Sequence, residues 1–274
     1  MLLNTKNLQG YAIRATDGDI GTVTDLYFDD QSWAVRFLVV EPGPWLVGKM
    51  VLISPRAVTA SDSIDRALSV SLSKANVRDS PATESHKPVS VQHELSYIGY
   101  YGRPYYQGVA DTGKPGAMLV GEGYGGTAVE NSTSEPLAQD PHLRSAGDIA
   151  RYGIEALDGD IGHLQALLVD DVTWDIRYLV VNTSNWWLGH EVLIAPQWIA
   201  GVRWHDSTVS VHLTRQSIKD APPYHSGSAF GRNEESNLYR HHGFAGYWAG
   251  EVRQESPEFI LKDKDPRHAH YDAR

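Results

Sequence analysis

The chain repeats itself. Asp17-Gly18-Asp19-Ile20-Gly21 returns as Asp158-Gly159-Asp160-Ile161-Gly162, an offset of 141. At that offset residues 11–81 align with 152–222 without a gap, with 28 identities in 71 positions. Asp29-Asp30 falls on Asp170-Asp171, Trp33 on Trp174, Arg36 on Arg177, Leu38-Val39-Val40 on Leu179-Val180-Val181, and Val51-Leu52-Ile53 on Val192-Leu193-Ile194. Turn length sets hairpin register, so equal spacing throughout predicts one topology built twice. A period this long is a domain, not a solenoid unit.

Within each copy, short runs of β-branched and aromatic residues alternate with turn residues. In the first copy they predict strands over 11–16, 20–28, 33–41, 50–54 and 68–72, a helical turn at 55–58 and a short capped helix at 73–79. Asp-Gly between alternating runs marks the first hairpin, where Gly18 and Gly159 are expected at positive φ. The fold class is all-β: two tandem small β-barrels with irregular aromatic tails and a flexible linker.

The boundaries read as 1–82 for the first barrel and 83–107 for its aromatic tail. A Gly/Ser/Pro-rich linker follows at 108–147, then the second barrel at 148–222 and an aromatic, His-containing tail at 223–274. Tyr97–Tyr106 and Tyr239–Trp248 echo each other. A barrel of about 80 residues is near the lower limit for a self-sufficient core. The two are therefore expected to pack on each other within the chain, with the Trp45 and Trp186-Trp187 loops or the Tyr-rich tails at the seam.

Composition removes several function classes. The chain has no cysteine, which excludes disulfides, thiolate metal sites and cysteine nucleophiles. Its net charge of −10 opposes phosphate backbones and no dense Lys/Arg stripe offsets it, so no nucleic-acid partner is expected. No signal-peptide pattern and no run near the roughly 18 apolar residues of a membrane span occur, and the chain reads as soluble and cytoplasmic.

Asp-Gly-Asp-Ile-Gly, then Asp-Asp-x-x-Trp, then Arg-(Phe/Tyr)-Leu-Val-Val, then Trp-x-x-Gly-x-x-Val-Leu-Ile-x-Pro occur in that order at 17–55 and 158–196. This series resembles the PRC-barrel family. The resemblance implies a small-barrel platform. In the photosynthetic reaction centre H subunit the fold caps a membrane complex, and in the ribosome maturation factor it binds a ribosomal protein. By that resemblance, peripheral association with a membrane or electron-transfer complex is one expectation. The chain differs from the first in having no N-terminal membrane helix, and from the second in its acidity and in having no RNA-side partner domain.

Candidate sites are few. Asp17, Asp19, Asp158 and Asp160 are candidate cation ligands, since Ca²⁺ and Mg²⁺ gather carboxylate oxygens, although Asp and Gly favour such turns for conformational reasons alone. Trp45, Trp186 and Trp187 are candidate partner-binding residues, because aromatic loops at a barrel mouth anchor proteins as readily as they plug the barrel. Of twelve histidines, ten lie at or after His142, and the adjacent His241-His242 should point apart and chelate poorly. No Gly-x-Ser-x-Gly elbow and no phosphate loop appear. The expectation is a non-catalytic protein-interaction or scaffold module without cofactor. A metal-dependent enzyme in the His-rich second half and a ribosome or RNA-processing accessory protein are the alternatives.

Overall fold

The computed structural model describes residues 1–46, 49–80, 142–183, 190–227 and 230–249. The first repeat runs β1 (Leu2–Asn4), one-turn helix α1 (Thr5–Leu8), β2 (Ala12–Ala15), β3 (Gly18–Asp29), β4 (Ala34–Pro42) and β5 (Val51–Ile53). A 3-10 turn (Pro55–Ala57), β6 (Val58–Asp62), β7 (Ala67–Val70) and α2 (Lys74–Arg78) complete it. The second repeat gives β8 (Leu143–Ser145), α3 (Ala146–Ile149), β9 (Gly153–Ala156), β10 (Gly159–Asp170), β11 (Ile176–Asn182) and β12 (Glu191–Ile194). A 3-10 turn (Pro196–Trp198), β13 (Ile199–Arg203), β14 (Thr208–Val211) and α4 (Arg215–Lys219) follow, and then α5 (Arg232–His242).

Two seven-stranded sheets result, and they follow one path. The order is β5-β4-β3-β2-β7-β6 in one and β12-β11-β10-β9-β14-β13 in the other. The β2–β7 and β9–β14 pairs are parallel and the rest antiparallel. Each path is open. Its end strands, β5 with β6 and β12 with β13, are joined by the 3-10 turn rather than by ladder hydrogen bonds among the described residues. Alternation along β4 sends Leu38 and Val40 into the main core, while two ladder irregularities in β3 shift its phase so that Ile20, Val23 and Leu26, three residues apart, all face inward. Phe37, Val39 and Leu52 turn to the opposite face and cluster there with Leu143.

Gly18 and Gly159 both sit at φ 125°, in the region that side chains avoid. The turn they make is anchored from its first residue. Asp17 Oδ1 accepts from the Lys74 backbone N–H at 2.8 Å and Asp158 Oδ1 from that of Arg215 at 2.7 Å, tying each hairpin to the helix that closes its repeat. Gly18→Val and Gly159→Val should each cost on the order of 1–3 kcal/mol. Unchanged thermal melting of both variants would show that the turn does not need glycine.

Several expectations need correction. Residues 142–147 are not linker, because they form β8 and begin α3, so the second repeat starts before residue 148. The C-terminal tail is not irregular throughout, because Arg232–His242 is helical. Its N–H at Gly231 is capped by Glu234, and Gly243 closes it at φ 73°. The exposed edge strands β6 and β13 carried no apolar alternation by which to read them.

The N-terminal strands are exchanged. β1 pairs not with its own repeat but with β10 (Leu2 opposite Asp170, Leu3 opposite Val169), and β8 pairs with β3 (Leu143 opposite Asp29, Arg144 opposite Phe28). Each of these pairings maps onto the other by the repeat offset, as do the flanking bonds Asp30 N to His142 O at 2.9 Å and Asp171 N to Met1 O at 3.0 Å. Between the exchanged strands, Ala34 bridges Asp175, its own counterpart. A residue that meets its own equivalent lies on a two-fold axis, so the barrels form an isologous pair within one chain.

Candidate functional site

The Asp-Asp-x-x-Trp turns make the seam. Trp33 and Trp174 sit at φ 55° and 62°, a left-handed conformation that costs a bulky residue about 1–2 kcal/mol. That conformation aims their carbonyls across the axis. Val35 N donates to Trp174 O at 2.9 Å and Ile176 N to Trp33 O at 2.7 Å. The second aspartate of each turn holds the exchanged strand. Asp30 takes Arg144 Nε at 2.8 Å and His142 Nδ1 at 2.9 Å, while Asp171 takes the amine of Met1. The first aspartate shapes the turn, with Asp29 Oδ1 accepting from the N–H groups of Gln31 and Ser32 and Asp170 Oδ1 from those of Val172 and Thr173.

An open groove of about 860 Å³ runs across the seam, lined among others by Lys6, Asp25, Asp148, Arg151, His163 and Gln165. Its two halves solve one problem differently. The Leu167 N–H is met by Thr5 Oγ1 of the exchanged helix at 3.0 Å. At the equivalent place that helix has Ala146, and the Leu26 N–H bonds instead to Asp25 Oδ1 at 2.8 Å. Asp25 also accepts from Gly147 N at 3.0 Å and from the Ser145 hydroxyl. Burial raises the Asp25 carboxyl above its ordinary value, and nearby Asp148 adds to this, while the three hydrogen bonds pull the other way.

A carboxyl raised on folding favours the folded state below its unfolded value, and that contribution disappears as pH rises through the folded value. Ionised Asp25 thus weakens the seam at neutral pH. Asp25→Asn keeps an acceptor for Leu26 and Gly147 and offers Ser145 a donor. Its melting temperature relative to the parent should therefore be higher at pH 7 than at pH 4. A difference independent of pH would remove Asp25 from the account.

The sequence-derived candidates are dispersed. Trp45 is not at the seam. It seals its own barrel, its Nε1 donating to Ile20 O at 2.7 Å and its ring lying under Lys74. Trp186 and Trp187 lie outside the described residues, as does Tyr97–Tyr106. Asp17 and Asp158 hold helix N–H groups, and Asp19 and Asp160 stand on the far side of each turn, in β3 and β10. Among the described residues, no three His, Asp or Glu side chains converge as a metal site would require. His241 and His242 do not point apart. Their rings pack at 4.7 Å and both reach Ser217, His241 to its carbonyl and His242 to its hydroxyl. Burial, with His241 beside it, pushes His242 down to about 4.

The Tyr239–Trp248 part of the tail covers the outside of its own barrel. Tyr239 packs edge-on against Tyr178 and Trp198, and Phe244 stacks on Trp198. Beneath them the buried Glu235 accepts from the hydroxyls of Tyr178 and Tyr247, both at 2.9 Å, and pairs with Arg232 at 3.0 Å. Desolvation and that carboxylate push the Tyr178 hydroxyl far above its ordinary value.

No curated protein matches the chain in sequence. The family model for the PRC-barrel domain matches residues 3–77, from inside β1 to the last turn of α2. These residues are a PRC-barrel domain. The match to the PRC-barrel pattern thus includes the strand given away to the other repeat. The match does not extend to the second repeat, which shares the first repeat's strand path and the sequence identity described above. Among the described residues no helix is long and apolar enough to cross a membrane.

Proposed function

We propose that this protein is a non-catalytic interaction scaffold, in which two barrels hold one composite surface toward a protein partner. The reciprocal strand exchange carries this reading. It fixes the relative orientation of the barrels through backbone pairing, and a surface split across two domains is useful for recognition only when their orientation is fixed. The groove across the axis is the centre of that surface, with Lys6 and Arg151 on one side of the charge balance and Asp148 on the other. By family likeness the partner belongs to a membrane-bound or electron-transfer assembly, approached from the cytoplasm.

The chain has no cysteine, so a single one can carry a photo-crosslinker. Placed at Gln9 in the groove, it should capture one partner from host extract. Placed at Ile64, on the exposed β6–β7 turn, it should not, and Arg151→Glu should abolish the Gln9 adduct. Adducts that form equally at both positions would overturn the proposal. So would turnover of a substrate that a groove substitution abolishes.

A further inference from the structure

We infer that α5 is an acid-released arm: protonation of the His241-His242 pair lifts it from the second barrel and uncovers Tyr178 and Trp198. The two histidines clamp the end of the helix. Both hold Ser217 of α4, His241 Nε2 donating to its carbonyl at 2.8 Å and His242 Nδ1 meeting its hydroxyl at 2.9 Å. The two repeats differ at this contact. At the equivalent position of α2, Asn76 closes a capping box with Ser73, accepting from its backbone N–H at 2.9 Å and from its hydroxyl at 2.7 Å. Ser217 keeps only the half in which its own N–H donates to Thr214 Oγ1, and its hydroxyl turns to His242. Trp198, whose counterpart is Ala57, completes the seat, its ring 4.7 Å from that of His242.

This seat accepts neutral rings and opposes charged ones. Two imidazolium groups with centres 4.7 Å apart repel, and His242 would carry its charge into a half-buried site. Among the described residues no carboxylate pairs with either ring. The charged residues of α4 are Arg215, Lys219 and Asp220, of which Asp220 takes the Gln216 amide at 2.7 Å. The 3-10 turn Pro196–Trp198 has none. On α5, Arg240 bonds Asn237, and Glu235, two turns back, is taken by Tyr178, Tyr247 and Arg232. From β11, Arg177 lies over the Tyr247 ring. Docking also leaves the buried Trp198 Nε1 without a hydrogen-bond partner, and release returns it to water. Burial and His241 hold docked His242 at about 4, against 6.5 for an exposed ring. A depressed imidazole favours docking above pH 6.5, and that contribution is lost as pH falls toward 4.

Hydrogen exchange on the full chain tests this, because protection factors read the opening equilibrium of each segment. Between pH 7 and pH 4 the protection of the Leu238 and Tyr239 amides should fall about a hundredfold. The Leu167 and Val180 amides, in the ladder of β10 and β11, should hold theirs to within about tenfold. His242→Asn keeps an acceptor for the Ser217 hydroxyl and should bring the α5 fall within about tenfold as well. Glu235→Gln should leave the larger fall in place. If His242→Asn fails to dock at pH 7, the ring titration of His242 in the parent decides: a midpoint near 4 upholds the inference and one near 6.5 overturns it. Loss of protection by α5 and ladder amides together, a fall that persists in His242→Asn, or one that Glu235→Gln removes would each overturn it.

Discussion

Gly21→Ala should destabilise the protein by about 3 kcal/mol or more. A Cβ at Gly21 would lie 2.0 Å from the Glu41 carbonyl oxygen and 2.7 Å from the Pro42 Cα. These are backbone atoms of the paired strand β4, which has no side-chain freedom to yield. Gly162 repeats the geometry, 2.1 Å from Asn182 O, with φ at 154° besides. The reason is close strand crossing rather than turn conformation, so the neighbouring Gly18→Ala should be the milder change. Chemical denaturation of both variants checks the ranking. A Gly21→Ala protein as stable as the parent would mean that β3 and β4 do not approach this closely.

Cutting the chain should not separate its halves. With a protease site placed between residues 108 and 140, the cleaved pieces should co-elute at micromolar concentration, because β1 and β8 remain seated in each other's sheets. Leu3→Asp should undo this. Leu3 is buried opposite Val169, and an unpaired carboxylate there should cost about 3 kcal/mol, a loss of roughly a hundredfold in affinity between the pieces. Cleaved wild-type pieces that separate on gel filtration would refute the exchange.

Much of this architecture was legible because duplication printed it twice. Asp-Gly-Asp placed a hairpin, β-branched runs placed β3, β4, β10 and β11, and a gapless offset required one strand path for both copies. The exchange was not legible. Leu2-Leu3-Asn4 is three residues long with no hairpin turn to bind it to a neighbour, so only tertiary structure decides which sheet receives it. Trp33 and Trp174 were visible as a repeated pair, but nothing local announces that a tryptophan will take positive φ to direct its carbonyl outward. Trp45, the more conspicuous aromatic, proved to be a plug. Gly21 and Gly162 directly follow the turn, and nothing local gives them a role of their own. Their retention in both copies was the available signal, and its cause lay on the opposing strand.

The fused two-fold has a bearing on descent. Two identical subunits meeting on an axis must accept every substitution twice, so a residue that suits one half but burdens the other is removed. Once both halves share a gene that constraint ends. Thr5 became free to differ from Ala146, Asp25 from Ala166 and Lys49 from His190. One half carries a half-buried acid where the other has alanine, with the common frame left intact.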